Sequence, residues 1–92
     1  MTDSNEEALK HLFSWDNRNV VLRIRFVDAE EFEMTVSGWA QDIGASPHVH
    51  GTVIRPLKSK RNWKEGDEIM FRLWDVQGVV DPTTEEVIFK AE

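Results

Sequence analysis

The residues of this chain best suited to chemistry gather in one segment, RPLKSKRNWKEGD, at positions 55–67. Five of the 11 basic residues lie there, Arg55, Lys58, Lys60, Arg61 and Lys64, around a single tryptophan, Trp63. With Glu65 and Asp67 the segment carries +3, which leaves 6 basic against 15 acidic residues elsewhere, or −9, in a chain of net charge −6. Three readings are open. The run is a solvated loop whose lysines partner the acidic remainder. Or its cations touch phosphates while Trp63 stacks on a base, as single-strand binders do. Or it meets an acidic protein surface, another copy included. Net negative charge opposes wholesale binding to a phosphate backbone, so a nucleic-acid role would have to be local. No ribonucleoprotein aromatic signature accompanies the loop.

His48-Val49-His50 puts two imidazoles on one face of a strand, a geometry that zinc can use. Two ligands do not make a site, and a third would have to come from His11 or a carboxylate such as Asp42. The pair therefore reads as structural or solvent-exposed, with no metal expected. Ser37, Ser46 and Ser59 stand in no nucleophile-elbow context, no glycine-rich loop cradles phosphate, and the carboxylates are scattered. The absence of cysteine removes disulfides, thiolate metal sites and thiol nucleophiles. A non-catalytic chain without cofactor is the expectation.

The elements that must carry these residues follow from hydropathy. Ser4 and Glu7 form a capping box, and Ala8, Leu9, Leu12 and Phe13 recur at helical spacing, which predicts a helix over about 4–14. VVLRIRFV alternates, with Val20, Leu22, Ile24 and Phe26 on one face. EFEMTVSGW repeats the pattern with Phe32, Met34 and Val36 inward. A three-residue loop at Asp28-Ala29-Glu30 keeps Phe26 and Phe32 on the same face, setting Arg23 and Arg25 beside Glu31 and Glu33. QDIGASP is a loop, HVHGTVIRPL a strand with Val49, Val53 and Leu57 inward, and EIMFRLW a strand with Ile69, Phe71 and Leu73 inward. Asp81-Pro82-Thr83-Thr84 turns the chain into EEVIFK, with Val87 and Phe89 inward.

A chain of 92 residues makes one domain, expected to span 1–92 with the sheet over about 19–90. The fold class expected is α+β, mainly antiparallel β. An N-terminal helix precedes five or six short strands in a small SH3-like or partly open barrel. Trp39 and Trp74 fall on the outward parity of their strands. Either they join Met70, Ile54 and Ile88 in a second small cluster beneath the helix, or they form an exposed aromatic platform. Gly38 is placed to hold a bulge that turns Trp39 inward.

From Phe32 onward the strand pattern, the segment GTVIRPL, the Gly66-Asp67 turn and IMFRLWDV with Asp75 resemble the YegJ-like domain of unknown function over about two-thirds of the chain. The chain departs from that pattern in having Val79-Val80 where a tryptophan usually follows the aspartate, and in a longer basic insertion. The resemblance implies a compact bent sheet and assigns no residue a role. In architecture the chain is also similar to Sm-like domains, without their glycine-bearing RNA-binding motifs.

Together these readings lead us to expect a small binding or protein-interaction module. Its surface would lie where Trp63 and the basic loop meet the outward faces of His48, His50 and Trp74. A protein is the expected partner and single-stranded nucleic acid the alternative. The acidic start without an apolar h-region, and the lack of any run of roughly 18 apolar residues, point to a cytoplasmic protein that does not engage the membrane.

Overall fold

A computed structural model describes residues 3–41 and 46–91. Helix α1 (Asp3–Leu12) is followed by a 3-10 turn (Trp15–Asn17) and then by β1 (Val21–Phe26), β2 (Glu31–Ala40) and β3 (His48–Lys58). After the basic segment come β4 (Glu68–Arg72), a second 3-10 turn (Leu73–Asp75), β5 (Val76–Val80) and β6 (Val87–Lys90). The six strands form one open antiparallel sheet in the order β4-β3-β2-β1-β5-β6. This is the α+β arrangement that the alternation predicts. No helix among the described residues is long and apolar enough to cross a membrane.

The sheet curls so strongly that its concave face is the core. Leu22, Ile24, Phe26, Phe32, Met34, Val36, Val49, Val53, Ile69, Leu73, Val76, Val79 and Phe89 are buried; most keep the inward parity of their strand, Leu73 lies in the second 3-10 turn, and a register shift between β1 and β5 lets both Val76 and Val79 face in. Although β2 and β3 separate β1 from β4, the Phe26 and Phe71 rings meet edge to face with centroids 5.0 Å apart. The helix closes one opening of this curl through Leu9 and Phe13, both fully buried, and Phe13 also packs edge-on against Phe71 at 5.9 Å. The expected second cluster beneath the helix does not form. Ile54, Met70, Trp74 and Ile88 are exposed, because the helix caps the single core instead of lying on the convex face. Trp39 is half-buried beside the helix. A register shift between Val36 and Trp39, with Gly38 at φ 113, turns it in, and its indole N–H donates to the Lys10 carbonyl at 3.0 Å. Arg23 and Arg25 stand opposite Glu33 and Glu31, as the alternation requires.

Several expectations shift by a residue or more. The helix ends at Leu12, and the capping exchange at Ser4 falls outside the described side chains. Ala8 is exposed, as are Val20, Leu57 and Val87, three side chains expected inside. Val20 precedes β1. Leu57 lies past the register shift at Glu33/Met34 and is itself the extra residue of the one at Glu31/Phe32, and Val87 is separated from Phe89 by the shift at Val79/Val80; a single extra residue turns the parity over. Four residues, Val27 to Glu30, separate β1 from β2, one more than expected. Phe26 N–H donates to the Glu30 carbonyl at 2.9 Å, which closes the hairpin just before β2 and leaves the Glu30 side chain buried. Asp42, in the predicted 41–47 loop, lies outside the described residues.

Two backbone positions yield predictions. Gly51 lies where a Cβ would sit 2.4 Å from Met34 Cε and 2.9 Å from the Thr35 carbonyl oxygen, so strands β2 and β3 pack without room for a methyl group. Gly51→Ala is expected to lower the unfolding free energy by about 2 kcal/mol or more, read from urea denaturation. Ala29 closes the hairpin at φ 71, in the left-handed region, where an L-residue loses roughly 1 kcal/mol relative to glycine. Ala29→Gly should accordingly raise the urea midpoint, with the slope unchanged.

Candidate binding site

The basic segment is tied to the fold by one buried carboxylate. Glu30 has no solvent exposure, yet it lies on the same inward parity as Phe32 and Met34. Its Oε2 accepts the Lys60 backbone N–H at 3.0 Å, and its Oε1 accepts the Arg61 guanidinium through Nε at 3.0 Å and through Nη2. This fork satisfies the carboxylate from two sides, which is the condition for holding a charge inside. Arg61 remains 62% exposed in its side chain, so the ion pair is buried at one end and wet at the other. Residues 59–67 thereby become a strap. Trp63 N–H donates to Ser59 Oγ at 3.2 Å, Asn62 adopts φ 60, Lys64 N–H donates to Asp67 Oδ2 at 2.8 Å, and Gly66 N–H reaches the Val53 carbonyl at 2.7 Å.

Beneath the strap is a pocket of about 430 Å³. Phe26, Phe32, Ile69 and Phe71 line its apolar part, while Trp63 and Arg61 enter from the strap, with the guanidinium 5.7 Å from the indole centroid. His48, Arg72, Asp28 and Asp75 supply polar groups, and Arg72 forks onto Asp75 at 3.0 and 3.2 Å. Trp63 packs against the core, and its indole Nε1–H is buried without a hydrogen-bond partner among the described residues. An aromatic platform presented to solvent is therefore not what the loop builds.

The chain matches no known family model, no curated protein and no solved structure. Its site must be read from geometry alone. Of the residues singled out from the sequence, His48, Arg61 and Trp63 converge on this pocket. The others disperse. Arg55 pairs with Glu33 at 2.8 Å at the far end of β3. Lys58, Lys60 and Lys64 are exposed, with no ion pair formed by their ammonium groups among the described residues. His50 opens instead toward two shallower depressions, one with Ser37 and Trp39 and one with Ser37, Thr52 and Met70. Trp74 donates its indole N–H to Glu6 on the helix at 2.9 Å. Among the described residues no group of three His, Cys, Asp or Glu is placed to hold a metal ion. Sequence reading missed Glu30, Phe26 and Phe71 as parts of the site. For Glu30 the signal was present, since extending the β2 alternation back by two residues puts its carboxylate inside.

Three carboxylates, Asp28, Glu33 and Glu85, are held in their charged form. The Glu30 backbone N–H, at 3.1 Å, holds Asp28 below its ordinary value of 3.8, with Arg61 and Lys60 adding to the effect. Hydrogen bonds from Arg55 and then Arg23 hold Glu33 below 4.5, and Arg23 does the same for Glu85. Because these folded-state values are depressed, the unfolded chain takes up protons first as pH falls. Stability is expected to be full above 4.5 and to decline as pH drops through and below 3.8, seen as a falling thermal midpoint in acid. Glu33→Gln should flatten that decline.

Neighbouring cations in the strap should differ sharply on truncation. Arg61→Ala leaves the Glu30 carboxylate buried with only the Lys60 N–H, and a loss of about 3 kcal/mol is expected. Lys60→Ala keeps that backbone donor and removes only an exposed ammonium, so a change within about 0.5 kcal/mol is expected. Urea denaturation of the two variants separates the contributions.

Proposed function

We propose that this chain is a non-catalytic binding module whose partner is a protein, bound at the pocket beneath the strap. The observation that carries this reading is the convergence of Trp63, Arg61 and His48, from two separated segments, on a cavity with three phenylalanines in its lining. Such a mixture of apolar wall and a few directed polar groups is what recognition pockets share. Aromatic and arginine side chains are also the types that carry most binding energy at protein contacts. The unpaired Trp63 indole N–H adds a donor that an incoming acceptor would satisfy after a small movement of the strap.

The rival reading, single-stranded nucleic acid held by the loop, draws on Lys58, Lys60 and Lys64, whose ammonium groups are exposed. Against it, Trp63 is packed on the core, and the charges of Arg55 and Arg61 are already matched by Glu33 and Glu30. Amide and indole NMR spectra recorded with a mixed pool of short peptides, and separately with short single-stranded RNA and DNA, distinguish the two. Peptide-induced shifts at Trp63 Nε1–H and at residues 69–72, largely insensitive to salt, are the expected result. Shifts produced only by oligonucleotides, centred on 58–64 and erased by salt, would replace this reading with the rival. Silence with both pools would remove it.

A further inference from the structure

One side of the pocket is not a wall of side chains but the open edge of the sheet. Four consecutive residues of β4, Ile69 to Arg72, line it, and β4 pairs with β3 alone. The direction of the β4 backbone groups follows from its two ends. Val53 N–H donates to the Asp67 carbonyl at 2.8 Å and Leu73 N–H donates to the Pro47 carbonyl at 2.9 Å. Both pairs fit the register in which Val49 faces Phe71 and Gly51 faces Ile69. In an antiparallel ladder the paired groups alternate along the strand, so residues 67, 69, 71 and 73 address β3. The N–H and C=O groups of Glu68, Met70 and Arg72 therefore point away from β3, along the free edge. The other edge strand, β6, contributes nothing to the pocket.

Building on the binding-module reading above, we propose that the partner is an extended acidic peptide segment that adds to β4 as a seventh strand. Main-chain bonds to Met70 and Arg72 would hold the segment, and one apolar side chain would enter the pocket between Phe71 and Trp63. This division of labour, with backbone bonds for affinity and a pocket for selectivity, is how strand addition works. The acidic character comes from the rim. The charges of Arg61 and Arg72 are matched by Glu30 and Asp75, whereas Lys60 and Lys64, the chain neighbours of Arg61 and Trp63, have no ion pair among the described residues. Asp28 also borders the pocket and lies close enough to Arg61 and Lys60 to feel their charges, so the acidic residues of the segment belong beside Lys64.

The probe is a blocked seven-residue peptide alternating glutamate with valine and leucine, titrated into the labelled full chain. Two controls accompany it: the same peptide N-methylated at alternate residues, which keeps the side chains and removes strand hydrogen bonding, and a version with lysine for glutamate. The expected result is slowed exchange at the Met70 and Arg72 amides, a shifted Trp63 indole signal, and binding about tenfold weaker or worse for each control. Met70→Pro, which deletes an outward donor on an edge strand, should also abolish binding; should that variant fail to fold, the N-methylated peptide makes the same test. Binding at the Trp63 indole that ignores N-methylation and leaves Met70 and Arg72 exchanging freely would overturn strand addition while leaving the binding module intact. No shift at millimolar peptide would overturn strand addition as well. The binding module itself then stands or falls with the mixed peptide pool.

Discussion

A charge in the interior organises the face of the molecule that carries the pocket. The Glu30 carboxylate is fully enclosed, and an enclosed carboxylate is tolerable only with donors on both oxygens. The chain supplies them from about thirty residues away, through one main-chain N–H and one guanidinium. Everything that makes the pocket follows from meeting that requirement. Lys60 and Arg61 must sit over β2, which fixes where the chain crosses on its way to β4. That crossing brings Trp63 down onto the core and leaves the space that the phenylalanines line. The cluster of positive charge, puzzling in an acidic protein, is thus partly internal counter-charge: Arg61 answers Glu30 and Arg55 answers Glu33.

Much of the architecture could be read from hydropathy. Alternation in VVLRIRFV, EFEMTVSGW and EIMFRLW placed Leu22, Ile24, Phe26, Phe32, Met34, Val36, Ile69 and Leu73 inside, and the arginine–glutamate facing of β1 and β2 came with it. What escaped was parity beyond a bulge. Leu57 and Val87 each lie past a register shift, and a shift is created by pairing with a distant strand, which leaves no trace in local periodicity. Glu30 escaped for a different reason. Its alternation was visible, but a charged residue beside a turn reads as solvent-facing unless its counter-charge is known to be near.

The site was legible as a neighbourhood and not as a geometry. His48, Arg61 and Trp63 carried the right chemistry, and they do converge. His50 and Trp74 shared that chemistry but face elsewhere, one toward shallow depressions beside β2 and the other toward the helix. The difference between them is the curl of the sheet. It brings the end of β1 against β4, and no local pattern announces which outward residues stand near that seam. Trp63, which the nucleic-acid reading of the loop would have stacked on a base, is a half-buried wall, because a large aromatic ring beside an uncovered core gains more by closing it than by facing water.

Phe71 meets Phe26 on one side and Phe13 on the other, so the ring in the pocket lining is also the seat of the helix. The two duties cannot be tuned apart. A change that reshapes the cavity from below loosens the N-terminal helix, and a change that improves helix docking alters what the cavity accepts. Met70 and Arg72, at the rim of the cavity, have exposed side chains free of that double duty, so substitutions there reshape the mouth of the cavity without touching the seat of the helix.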